Sequence, residues 1–202
     1  MAQSIDVNWP SSAPMRQIED YQQRLHANSI MFDTVTKRDQ TNHGTVLQCQ
    51  SKFITPASSI WSVPASGTRT YVDPTEIVIR PSSTSSTIVV QWMITYETTH
   101  DAVWEVYKNK SYWQGGYNSG YTRNAWVGYA PCAYDNNVDS TPKTQYISMH
   151  DVPGTTADVS YGLAIGYASG GSTWLWLNRS ASGTISDAYE VGTSHVIAWE
   201  IL

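Results

Sequence analysis

Charge is scarce in this chain: Asp, Glu, Lys and Arg make up only 14% of its 202 residues, against roughly 25% in typical domains. Lys and Arg number 12 against 17 Asp and Glu, a formal net charge of −5. No broad positive field is available to hold phosphates, which argues against sequence-independent nucleic-acid binding. No apolar run approaches the ~20 residues that cross a bilayer. The opening Met1-Ala2-Gln3-Ser4-Ile5-Asp6 lacks the charged stretch followed by an apolar stretch of an export signal. A soluble chain made in the cytosol, with no membrane contact, is expected. Cysteine is almost missing. Cys49 and Cys132 form no CxxC or Cys/His ligand pair, and both are expected to be buried thiols, since free cysteine packs as a small hydrophobe, rather than a bridge of the kind found in oxidising compartments.

Catalytic motifs are missing too. The chain has no GxSxG, Walker loop, HExxH, GxGxxG or EF-hand loop. Its five histidines show no ligand spacing, and His100-Asp101 and His150-Asp151 sit at strand ends where polar residues belong. Glu97, Asp101 and Glu105 lie close together and Glu200 lies in the terminal strand, but spacing alone does not bring two of them to a sugar-cleaving separation. Asp135, Asn136, Asn137 and Asp139 offer oxygen atoms of the kind calcium takes, although an exposed turn is the simpler account. The two sequons, at Asn109 and Asn178, are chance matches in a chain without an export signal. No enzymatic activity, metal or cofactor is expected.

What is present is aromatic. The chain has 9 Trp and 13 Tyr beside 2 Phe. The first 44 residues form a segment of their own. Two prolines in Trp9-Pro10-Ser11-Ser12-Ala13-Pro14 disfavour helix. Met15, Ile18, Tyr21 and Leu25 then recur at spacings of three, three and four among polar residues, which predicts one amphipathic helix over 15–27. Such a helix is marginal alone and needs a surface, so Trp9, Met15, Ile18, Tyr21 and Leu25 are candidate docking residues on a 1–44 arm.

From Thr45 the period changes to two. Strands are expected over 45–50, 76–80, 87–97, 102–107, 125–130, 144–149, 157–168, 172–177 and 193–201, rich in Val, Ile, Thr, Trp and Tyr and separated by turn residues. That is an all-β sandwich or barrel over 45–202. In the last strand Val196, Ala198 and Glu200 share one face, and Ile197, Trp199 and Ile201 the other. Gly162 and Gly166 mark a bulge or a close backbone approach. Gly170-Gly171 predicts a hairpin over 159–177. Nine of the 24 aromatic residues fall between Trp104 and Tyr134. Tyr112, Trp113, Tyr117 and Tyr121, set among Gly and Asn, have the composition of an adaptable binding loop.

Near the C-terminus, Trp174-Leu175-Trp176-Leu177-Asn178-Arg179-Ser180, then Asp187-Ala188-Tyr189-Glu190-Val191-Gly192-Thr193-Ser194, then Val196-Ile197-Ala198-Trp199-Glu200-Ile201 resemble the closing strands of virion proteins of tailed bacteriophages, notably aquatic and cyanobacterial ones. The resemblance spans about a seventh of the chain. It implies a jelly-roll-like β-sandwich that forms a homotrimer on the particle, as a capsid decoration or cement protein, a head fibre or a tail-fibre module. Its expected partners are copies of itself and other virion proteins, the major capsid protein first among them. The family pattern carries no catalytic residues. The alternative is a carbohydrate-binding receptor module whose Tyr112, Trp113, Tyr117 and Tyr121 stack on host glycans.

Overall fold

The structure, a computed structural model, describes residues 45–54, 60–64, 68–98, 102–113, 128–132, 141–167, 173–182 and 190–202. In chain order the strands are β1 (Val46–Ile54), β2 (Ile60–Val63), β3 (Arg69–Tyr71), β4 (Ile77–Ile79), β5 (Thr87–Thr98), β6 (Ala102–Lys108), β7 (Ser111–Tyr112), β8 (Ala130–Pro131), β9 (Lys143–Asp151), β10 (Val159–Tyr167), β11 (Thr173–Leu177) and β12 (Ser194–Ile201). A single 3-10 turn, Asp73–Thr75, joins β3 to β4.

Among the described residues all pairings are antiparallel, and they form two sheets. In the first, β5 takes β9 along one side. On its other side β12 pairs with Thr87 to Met93 and β11 with Tyr96 to Thr98, so β12 and β11 run end to end as one column. Outside them lie β1, on β12, and β2, on β11. The second sheet repeats this plan. There β10 pairs with β6, the short strands β4 and β3 line the far side of β10, and β7 and β8 line the far side of β6. Each sheet is therefore four columns wide. The chain visits them in interleaved order: the β1/β2 edge, the β3/β4 edge, then β5, β6, the β7/β8 edge, the β9 edge, β10, and finally β11/β12. That order is a jelly roll, two Greek keys folded over one core.

The core follows from the period-two pattern. On β5, Ile88, Val90, Trp92, Ile94 and Tyr96 point inward and are essentially inaccessible. They meet Val106, Trp104, Tyr161, Leu163 and Ile165 from the other sheet in one buried cluster. Full burial of each such side chain is worth ~1.5–3 kcal/mol. Tyr96 and Trp104 meet edge to face across the sandwich at 5.3 Å. Buried polar groups are tied across it as well. Trp92 Nε1 donates to Thr75 O at 2.9 Å, and the Thr75 hydroxyl accepts from Leu163 N at 2.8 Å.

Three expectations need correction. The hairpin over 159–177 does not form, because β10 belongs to the second sheet and β11 to the first. Each strand supplies an inward apolar face to its own sheet. Cys49 is exposed on the edge strand β1, where its neighbours Gln50 and Ser51 are exposed too; Cys132 is buried, and both are free thiols. The strands β2, β3 and β7 were not foreseen, since two to four residues are too few to display a period.

Candidate functional site

The outward face of β10 carries almost no side chains. Tyr161, Leu163, Ile165 and Tyr167 turn into the core, leaving Gly162, Ala164 and Gly166 outside. Two side chains of β3 use this bare floor to reach toward β6. Tyr71 lies over Gly162, where a Cβ would sit 2.1 Å from its hydroxyl oxygen, and Arg69 lies over Gly166, where a Cβ would sit 2.3 Å from its Cδ. Arg69 Nε donates to Glu105 Oε1 at 2.8 Å, with side-chain exposures of 1% and 0%. A buried pair of this kind is held in place because removing either partner strands a charge. Gly162 and Gly166 mark neither a bulge, since the register of β10 with β6 is unbroken, nor a close backbone approach: what lies over them is the Tyr71 and Arg69 side chains.

Beside that pair runs an aromatic row. Tyr71 meets Tyr107 at 5.7 Å and 51°, and Tyr107 meets Tyr112 at 6.3 Å and 70°. Lys110 Nζ stands 5.6 Å above the Tyr71 ring and 3.4–3.5 Å from Asp73 and Glu76. The Tyr71 hydroxyl is buried without a hydrogen-bond partner. Burial first, then the charges of Glu76 and Asp73, push its pKa well above the ordinary value. Lys110 owes its place to a tight turn: Asn109 and Lys110 both take left-handed backbone, φ 51° and 59°, between β6 and β7, the geometry of a two-residue hairpin turn. Asn109 is pinned by Ser160, whose backbone N donates to its Oδ1 at 2.9 Å.

Of the four loop aromatics singled out from the sequence, Tyr112 joins this row. Trp113 turns elsewhere: it packs against the core and meets Tyr129 at 6.2 Å. Tyr117 and Tyr121 lie outside the described residues, as do Trp9, Met15, Ile18, Tyr21 and Leu25 of the arm, His100, Asp101 and the Asp135 to Asp139 loop. Tyr71, Tyr107, Arg69 and Glu105 had not been singled out as a binding group. The signal available was the pair of glycines four apart on one strand face, which announces a side chain arriving from elsewhere.

The carboxylates do structural work. Glu200 sits in the inward row of β12, fully buried. Its Oε1 accepts from Ser82 N, Ser82 Oγ and Ser86 Oγ, and its Oε2 from Gln48 Nε2, each at 2.6 Å. Burial pushes its pKa up, and these hydrogen bonds outweigh that and hold it at about 2. The serine-rich connection over 81–86 is thereby fastened to the end of the sheet. Glu97 accepts from Ala181 N at 2.5 Å and Thr141 Oγ1 at 3.3 Å. Asp151 faces Lys108 Nζ at 2.6 Å and accepts from the Tyr161 hydroxyl at 2.7 Å, joining the two sheets. His150 stands on the opposite face of β9 and is exposed. Glu97 and Glu105 belong to different sheets. Among the described residues no group of three His, Cys, Asp or Glu is placed to hold a metal ion, and no helix is long and apolar enough to cross a membrane.

The motif near the C-terminus is a joint of four strands. Asn178, at φ 63°, donates to Ile54 O on β1 and accepts from the Ser194 hydroxyl on β12. Ser194 in turn accepts from Thr95 N on β5 at 2.8 Å. No protein-family model matches the chain, and no curated protein is significantly similar to it. The class that the fold defines is thus the jelly-roll β-sandwich, a fold that hosts many functions.

Proposed function

We propose that this protein is a structural component of a tailed-phage particle, of the capsid decoration, cement or head-fibre kind. In this reading it docks through residues 1–44 and presents the jelly roll outward as a homotrimer. The observation that carries the reading is the strand order, which recurs in viral capsid domains and in lectins. Fold-level analogy of this kind is joined here to the resemblance of the C-terminal strands. The polar side chains that chemistry would use, Glu97, Glu105, Asp151 and Glu200, are engaged in holding strands together. The test is particle incorporation. A chain lacking residues 1–44 is expected to be lost from purified particles that retain the full chain, and equal incorporation of both would refute the docking role.

The lectin-like alternative rests on open aromatic faces. Tyr71, Tyr107 and Tyr112 pack tilted or edge-on against one another, and Trp113 is spent on the core. This favours the structural reading. Binding of host glycans by the intact protein on an array, lost in Tyr112→Ala, would reverse that preference.

A further inference from the structure

The outward face of the first sheet differs in character from that of the second. Register places Cys49, Ser51 and Phe53 of β1 on it, with His195, Ile197, Trp199 and Ile201 of β12. Thr87, Val89, Gln91 and Met93 of β5 follow, then Tyr146, Ser148 and His150 of β9. None of these fourteen side chains is Asp, Glu, Lys or Arg, and about half are apolar or aromatic. Phe53 is 76% exposed and Tyr146 59%. Ser51, Lys52, Phe53, His195 and Ile197 border a shallow depression, with the Lys52 ammonium drawn away to the Glu76 carbonyl at 3.2 Å, and Phe53 meets His195 edge to face at 6.3 Å. Along the margin, β1 is an edge strand: among the described residues it pairs only with β12. The edge itself is blunted by Lys52 and by the irregular register between Val46 and Gln48, so it is the face rather than the edge that is open to packing.

We infer that copies of this chain meet through this face. The charge pattern selects the occupant. Two chains of net −5 repel on average, and this neutral face is where like-charged copies can close without opposing charges. Size agrees. Eight residues of strand at ~3.3 Å, across four strands at ~4.8 Å, span roughly 500 Å² in projection, the size of the largest and often functional patch on a monomer and more than half of the ~800 Å² per partner of a stable interface. The inference deepens the proposed homotrimer by naming its contact surface. It is tested on purified protein, so its failure is separate from any failure to join particles.

The experiment is sedimentation of the full chain over a range of concentrations, beside Phe53→Glu/Tyr146→Glu and a control, Val78→Glu, which places the same charge at a 52% exposed site on the other sheet. The substituted side chains stand in solvent in the single chain, and circular dichroism verifies the fold of each variant. The full chain is expected to sediment as an oligomer, the double variant to dissociate with affinity about a hundredfold weaker, and the control to stay assembled. Cys49, exposed on the face, should be alkylated more slowly in the oligomer than in the double variant, with buried Cys132 as the internal reference. A full chain that sediments singly at every concentration overturns the inference, as does an oligomer unmoved by the double substitution or broken equally by Val78→Glu.

Discussion

Gly162 shows how one residue sets the character of a face. Without a Cβ it lets the hydroxyl end of Tyr71 lie over β10 while the ring meets Tyr107. Gly162→Ala is expected to cost about 1–3 kcal/mol by overpacking. In a Tyr71→Ala background the same change should turn neutral or stabilising by about 0.5–1 kcal/mol, because alanine is better ordered in a strand than glycine. A double-mutant cycle by urea unfolding reads this coupling, and equal costs in both backgrounds would contradict the contact. Glu200 makes a prediction about pH. Its folded pKa of about 2 lies below the ordinary 4.5, so its ionised form adds stability that is fully present above pH 4.5 and is lost as pH falls toward 2. Glu200→Gln removes the charge that receives four hydrogen bonds and leaves one acceptor oxygen where there were two, so at least one donor among Ser82, Ser86 and Gln48 faces an amide N–H₂. The variant should be less stable at pH 7 and should lose this share of the acid sensitivity, measured as urea midpoints at pH 7, 4 and 3.

At the scale of elements, Asn178 holds the ends of four strands at one joint. Asn178→Ala strands the Ile54 carbonyl and the Ser194 hydroxyl and forces alanine into left-handed backbone, a cost of about 3 kcal/mol. Asn178→Gly keeps the conformation and should cost about 1 kcal/mol less; equal losses in thermal denaturation would show that backbone conformation plays no part. Trp113→Ala should destabilise the fold by about 2–3 kcal/mol, since Trp113 fills space against the core, and a variant of unchanged stability would return Trp113 to the binding loop. Strand alternation was readable in β5 and β12 because their inward residues, Ile88 to Tyr96 and Val196 to Glu200, are spaced by two over many residues. The partner of each strand was not readable. A pair of strands joined through glycines looks the same whether it closes a hairpin or crosses a sandwich, as β10 and β11 do. For the same reason the aromatic density marked Tyr112 but not Tyr71, which only the topology brings to its row.

For the molecule as a whole, the jelly roll leaves its two outward faces unlike each other. One is filled by Arg69, Tyr71, Glu105 and Tyr107 within the chain itself. The other is broad and neutral, and it explains the low charge of the composition if copies pack there. In the reading proposed above, a trimer joined through this face would be tethered to the particle by residues 1–44. The most direct test is electron cryo-microscopy of purified phage particles in which this protein carries a small terminal tag. The account predicts three-fold β-rich densities at the tagged positions, with the neutral sheet face turned toward neighbouring copies. Particles that lack the protein altogether would contradict it.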